Sequence, residues 1–169
     1  RQVSWLGYFG TTGLPCIDAV IADPHCVPTD EARHFSERLL YMPHSRLCLT
    51  PPKAAPEVAA EPPMAALPGI TFGCFQNAHK INHRVLGLWQ RILQAVPGAV
   101  LRLQNGQFEH AAQVLRMRAR LREAGIDLRR VWISNNLPRE HYLGQYAEVD
   151  VLLDTFPYPG GTTTAEAIW

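Results

Sequence analysis

Residues 70–104 read ITFGCFQNAHKINHRVLGLWQRILQAVPGAVLRLQ, and the order of patterns within them decides the fold. ITFGCF (70–75) is a short apolar run of strand type. Asn82 then offers a side-chain oxygen to the first free N–H groups of a helix. Val85, Leu88, Trp89, Ile92 and Val96 recur at helical spacing along one face. Pro97-Gly98 stops that helix, and AVLRLQ (99–104) is a second strand. Downstream the alternation continues. A helix from about Phe108 to Ala124 is closed by Gly125, and RVWIS (130–134) is a third strand. Pro138 suits the first turn of the next helix, which ends before the fourth strand, VDVLLD (149–154). Glycines and threonines then lead into a last helix, AEAIW. Strands alternating with helices in this way predict a parallel α/β sheet covered on both faces.

Upstream, residues 50–69 (TPPKAAPEVAAEPPMAALPG) place Pro51, Pro52, Pro56, Pro62, Pro63 and Pro68 among alanines. Such a composition makes neither helix nor central strand and reads as an extended linker. Residues 1–49 are consistent with the tail of a similar α/β unit. QVSWLGY and IDAVIAD are strand-like, and DEARHFSERLLYM reads as a helix capped by Thr29.

Composition sets outer bounds. Apolar residues make up 47% and charged residues 18%, and the formal net charge is +1. This balance gives no footing for nucleic-acid or membrane partners. No apolar run approaches the ~20 residues of a membrane-spanning helix. The arginines at 116, 118, 120, 122, 129 and 130 interleave with Val114, Met117 and Leu121, as on a surface helix, and no aromatic platform accompanies them. Cys16, Cys26, Cys48 and Cys74 stand far apart with no C-x-x-C pair, so a metal site is not expected. They read as structural thiols of a reducing cytoplasm. Of the seven histidines, His79 and His141 lie at loops or helix starts of interest.

In open α/β sheets ligands bind outside the carboxyl ends of the strands. FQNAHKI (75–81) puts Gln76, Asn77, His79 and Lys80 in one such loop. By position alone Lys80 is either a phosphate's counter-charge or a solvated cation, and solvated lysines are the commoner case. The second loop is DTFPYPGGTTT (154–164). Its glycines let backbone approach a ligand, and its threonines add hydroxyls where a helix begins. Glu166, a turn further on, stands where a carboxylate can accept from a ribose hydroxyl. Thr162 and Glu166 also suit simple capping and the helix dipole. Neither a phosphate-binding G-x-x-x-x-G-K-[ST] loop nor G-x-G-x-x-G is present.

Taken together, WLGYFGTTG (5–13), DAVIAD (18–23), FSERLLYMPHS (35–45), FQNAHKI and DTFPYPGGTTTAEAIW resemble the catalytic region of O-linked N-acetylglucosamine transferases. The style is that of the bacterial members, whose catalytic regions follow tetratricopeptide repeats. The resemblance keeps the family's order over nearly the whole chain. It implies the B-type glycosyltransferase architecture of two Rossmann-like lobes. Residues 1–49 then end the N-terminal lobe, 50–69 link the lobes, and 70–169 begin a truncated C-terminal lobe that binds UDP-N-acetylglucosamine. It also implies inverting transfer of N-acetylglucosamine to Ser or Thr hydroxyls of protein acceptors, with no metal or other cofactor.

Matched positions carry roles. Lys80 resembles the lysine that compensates charge on the departing diphosphate. Asn77 falls where relatives carry Gln or Asn near the phosphates. Gly161, Thr162 and Thr163 match the helix start that holds the diphosphate, and Glu166 stands where an Asp commonly contacts the ribose. Leu137 and Arg139 match residues near the uracil and nucleotide. Tyr142 occupies a position at which many members have His, with His141 beside it. Leu6 and Gly7 match positions lining the sugar pocket. The first-lobe histidines of the family lie upstream of this segment, and the rest of the second lobe lies past Trp169. The isolated 169-residue piece is therefore expected to have little or no transferase activity. Alternatives on the same fold are a GDP-fucose or UDP-glucose donor, or a non-catalytic nucleotide-sugar-binding protein.

Overall fold

Short apolar strands become a sheet when each finds a neighbour for its N–H and C=O groups, and here they pair in two sets. The computed structural model describes residues 1–53, 55–66 and 68–169. The chain divides into two compact units, Arg1–Thr50 and Pro51–Trp169.

In the first unit β1 (Val3–Ser4), β2 (Ala19–Ala22) and β3 (Arg38–Tyr41) form a parallel sheet in the order β1-β2-β3. β1 is shorter than QVSWLGY suggests; Leu6 lies in the left-handed region at φ 70°. The expected helix over DEARHFSERLLYM is absent. Thr29–His34 makes only a 3₁₀ stretch, with no side-chain cap, and Phe35 turns extended. The following residues instead pair with β2, Ala19 opposite Arg38 through Ala22 opposite Tyr41. Sheet pairing outweighs local helix propensity here. The GTTG loop is clamped by Glu37, which accepts from Thr11 Oγ1 (2.6 Å), from the Thr12 amide (2.7 Å) and from the Thr12 hydroxyl. Buried Asp23 accepts the amides of His25, Cys26 and Arg46.

In the second unit β4 (Thr71–Cys74), β5 (Val100–Gln104), β6 (Val131–Ser134) and β7 (Val151–Leu152) are all parallel, in the order β6-β5-β4-β7. α1 (His83–Ala95) and α2 (Ala111–Glu123) pack with Phe72, Cys74, Leu101 and Leu103 into the main core. Each fully buried leucine there is worth ~1.5–3 kcal/mol of transfer free energy. Alternate β4 residues point the other way. A Cβ on Gly73 would press on the Val149 side chain at 2.7 Å. Phe75, Tyr142, Leu143 and Val149 form the second cluster, which α3 (Arg139–Gly144) helps to build.

Asn82 caps α1 as expected, accepting from Arg84 N and Val85 N at 3.0 and 3.1 Å. The buried face of α1 is Val85, Leu86, Trp89 and Leu93, while Leu88 is exposed. The expected stripe was rotated: the sheet covers residues on the Leu86–Leu93 side, and Leu88 points to solvent. α2 starts at Ala111, after a 3₁₀ turn over Gly106–Glu109 that buries Phe108. It ends at Gly125 (φ 78°), where Gly125 N donates to Arg122 O and Ile126 N to Leu121 O. Arg130, from the arginine cluster, donates to the carbonyls of Leu93, Val96 and Ala99 and so closes the end of α1.

The fourth strand is shorter than VDVLLD, and the last helix, α4 (Thr162–Ile168), begins in the threonines rather than after them. Of the proline-rich stretch, Ala54 and Leu67 lie outside the described residues. Pro63–Ala65 is not extended but forms a 3₁₀ turn. Met64 N and Thr71 N donate to the two carboxylate oxygens of Asp150, at 2.8 and 2.7 Å. This fastens the end of the stretch to the sheet. Among the cysteines only Cys74 is buried; Cys16, Cys26 and Cys48 are exposed, so a packing role fits Cys74 alone.

Candidate functional site

The strand order places two loops side by side. From β4 the chain moves outward through β5 to β6, then returns to the opposite side of β4 with β7. The carboxyl ends of β4 and β7 therefore flank the point where the winding reverses, and an open crevice forms there in α/β sheets. The loops that leave these two strands are residues 75–81 and 153–161.

The first loop is short and braced. Asn77 Oδ1 accepts from His79 N at 2.9 Å, capping the 3₁₀ turn Ala78–Lys80. Asn77 is exposed. Gln76 is buried, 3% exposed, and its Nε2 donates to Thr164 Oγ1 at 3.1 Å. Asn82 serves both loops, because the side chain that caps α1 also donates from Nδ2 to Phe156 O at 2.6 Å. Lys80 Nζ donates to Pro159 O at 2.9 Å and stands 4.6 Å from the ring centroid of Tyr158.

The second loop is pinned from within. Asp154 Oδ1 accepts from Thr155 N (2.7 Å) and Gly160 N (2.8 Å), and Thr155 Oγ1 donates to Tyr158 O at 2.8 Å. The Phe156–Pro157 peptide is cis. Gly160 is where a glycine is required: a Cβ would collide with Thr164 Oγ1 and the Gln76 amide. Gly161 stands just before α4, Thr162 is exposed, and Thr163 is half-buried. The first amides of a helix lack partners within it, and those of α4 follow shortly after Pro159, whose carbonyl Lys80 contacts.

Glu166 and Arg139 come together. The Glu166 side chain is 3% exposed and its Oε1 accepts from Arg139 at 2.5 Å, while Arg139 is 58% exposed. A buried carboxylate needs such a partner. The hydrogen bond to Glu166 raises the Arg139 guanidinium further. Tyr142 is buried with Phe75 and Tyr146, and its hydroxyl meets that of Tyr146 at 2.9 Å. Tyr146 in turn donates to Thr163 O at 3.1 Å, a brace beneath the start of α4. Burial raises both tyrosine hydroxyls. Leu137 is exposed after β6.

The structure thus gathers Lys80 with Tyr158 and Pro159, and Glu166 with Arg139. Asn77 sits in the same loop as Lys80. Leu6 and Gly7 lie in the first unit, exposed at the end of β1. Sequence reasoning missed Tyr158 and Asp154 as partners of this site. Their signal lay only in proximity to the glycines, since a cation above a ring 78 residues away in sequence leaves no local pattern. Among the described residues no three His, Cys, Asp or Glu side chains gather as a metal site, and no helix is long and apolar enough to cross a membrane.

A parallel sheet wound about a switch point, with a lysine and a helix start at that point, is an α/β lobe of the kind from which the B-type glycosyltransferase fold is built. An O-GlcNAc transferase mutant from Thermobaculum terrenum superposes with a TM-score of 0.91 at 34% identity, over 99% of this chain and 31% of that one. A probable UDP-N-acetylglucosamine–peptide N-acetylglucosaminyltransferase SPINDLY from Solanum lycopersicum is 38% identical over 171 residues. Its counterpart in Oryza sativa subsp. japonica is 39% identical over 170 residues. The chain is covered to 99% in both comparisons and spans 18% of the length of either relative. The profile of glycosyl transferase family 41 matches residues 1–49 and 63–169. The chain belongs to glycosyl transferase family 41.

Proposed function

We propose that this chain supplies the diphosphate grip of a transferase that moves N-acetylglucosamine from UDP-N-acetylglucosamine to Ser or Thr hydroxyls of proteins. Residues 1–49 end one lobe, 50–69 join the lobes, and 70–169 hold the nucleotide sugar. The acceptor oxygen attacks the anomeric carbon while the bond from that carbon to the diphosphate oxygen breaks, inverting the centre. The hydroxyl proton leaves to a base, and negative charge grows on the diphosphate.

Lys80 meets that charge directly, in the role a metal ion plays elsewhere, and the amides and hydroxyls at Gly161–Thr163 share it. Asn77 lies near the phosphates. Glu166, held by Arg139, is the candidate ribose ligand, and exposed Leu137 the candidate neighbour of the base. The names of the relatives support the donor and the acceptor class. The observation that carries the reading is the meeting of Lys80 with Pro159, 79 residues apart, at the switch point.

The test is Lys80→Ala in the whole protein. Transfer from UDP-N-acetylglucosamine to a protein acceptor should fall on the order of 10²-fold or more, with the unfolding midpoint unchanged. An unaltered rate removes Lys80 from the reaction. Calorimetry with UDP against GDP checks the base, and tighter GDP binding would replace the donor.

A further inference from the structure

Lysine on a loop has four flexible torsions and normally wanders in solvent. Lys80 does not. Its ammonium is held on one side by Pro159 O at 2.9 Å and on another by the Tyr158 ring, 4.6 Å to the centroid. Both partners come from a single loop whose own bonds are made. Tyr158 O accepts from Thr155 Oγ1, Gly160 N donates to Asp154, and Phe156 O accepts from Asn82. The backbone that carries the ring is therefore placed by the fold, although Tyr158 itself is 41% exposed.

Neither partner is an anion, and among the described residues Lys80 enters no ion pair. A carboxylate in this place would hold the ammonium but cancel its charge. A ring face attracts it through the quadrupole and leaves the full positive charge available. An ammonium has three N–H donors. One goes to Pro159 O, and the rest remain for an incoming anion.

We propose that Tyr158 is the positioning residue for Lys80, a neutral seat that holds the ammonium at full charge where a sugar nucleotide's diphosphate arrives. The inference rests on the reading of Lys80 as the diphosphate ligand. The seat acts on the phosphates and not on the nucleoside.

The experiment compares Tyr158→Leu and Tyr158→Phe in the whole protein, with UDP and uridine as probes in calorimetry. Tyr158→Leu should weaken UDP about three- to tenfold and leave uridine within about twofold. Tyr158→Phe, which keeps the ring, should stay within about twofold for both. In a Lys80→Ala background Tyr158→Leu should change nothing further. Wild-type UDP affinity in Tyr158→Leu overturns the proposal. So does a parallel loss of UDP and uridine, or a Phe variant as damaged as the Leu variant. The two readings separate cleanly: if Lys80→Ala alone binds UDP normally, the diphosphate assignment has failed and the seat falls with it. If Lys80→Ala is weakened and Tyr158→Leu is silent, only the seat is lost.

Discussion

Gln76 Nε2 donates to Thr164 Oγ1 at 3.1 Å, a bond between residues 88 apart that closes the gap between the loop after β4 and the first turn of α4. Gly160 lies directly against it. Any side chain there meets both the Gln76 amide and the Thr164 hydroxyl.

Gly160→Ala should therefore overpack the junction. The expected loss is about 1–3 kcal/mol in urea unfolding, with weaker nucleotide binding from the displaced α4. A variant as stable as the parent, with unchanged binding, would show that the junction yields freely.

Asp150 fastens the residues before β4 to the sheet through the amides of Met64 and Thr71. Charge-assisted bonds of this kind exceed neutral ones, so Asp150→Ala should cost roughly 2–3 kcal/mol. Hydrogen exchange at the Thr71 amide should quicken most. Asp150→Asn keeps one acceptor oxygen and should lose less. Equal exchange rates in the parent and Asp150→Ala would deny the clamp its role.

Glu37 gives a pH signature to the first unit. Side-chain hydrogen bonds from Thr11 and Thr12 hold its carboxyl down at about 2. The unfolded chain keeps the ordinary value of about 4.3. Between these values the unfolded state binds more protons, so stability falls as pH falls. The contribution is complete above the unfolded value and drains away toward pH 2. Against Glu37→Gln, the parent's advantage in unfolding midpoint should be largest at neutral pH and should shrink through this window. A difference that stays constant from pH 7 to pH 2 contradicts the assignment.

The thiols should separate by burial. Burial pushes the Cys74 thiol up to about 12, and it also raises that of Cys26. With a disulfide reagent at pH 8, Cys16 and Cys48 should react first, Cys26 more slowly, and Cys74 only on unfolding. Native-state reaction of all four at one rate would mean that the β4 core opens readily.

Much of this molecule was written locally. The β4–α1–β5 unit followed from an apolar run, the Asn82 cap and the Pro97-Gly98 stop, because each acts on neighbours within a few residues. The loops FQNAHKI and DTFPYPGGTTT were identifiable as polar, glycine-rich exits from strands. Elsewhere local preference misled. The RLLY segment has helix-forming residues, yet β2 offered a free edge and took it as β3. The burial side of α1 was likewise chosen by the sheet beneath it.

The meeting of distant groups had no trace in sequence order. Tyr158 lies under Lys80, Asn82 holds Phe156 and Arg139 pairs with Glu166 because β7 returns to the far side of β4. Composition and periodicity act over a turn or a pleat and so could specify strands, helices and caps. Which strand ends become neighbours depends on the crossover that buries the most apolar surface in a right-handed parallel sheet, and that choice belongs to the folded chain alone.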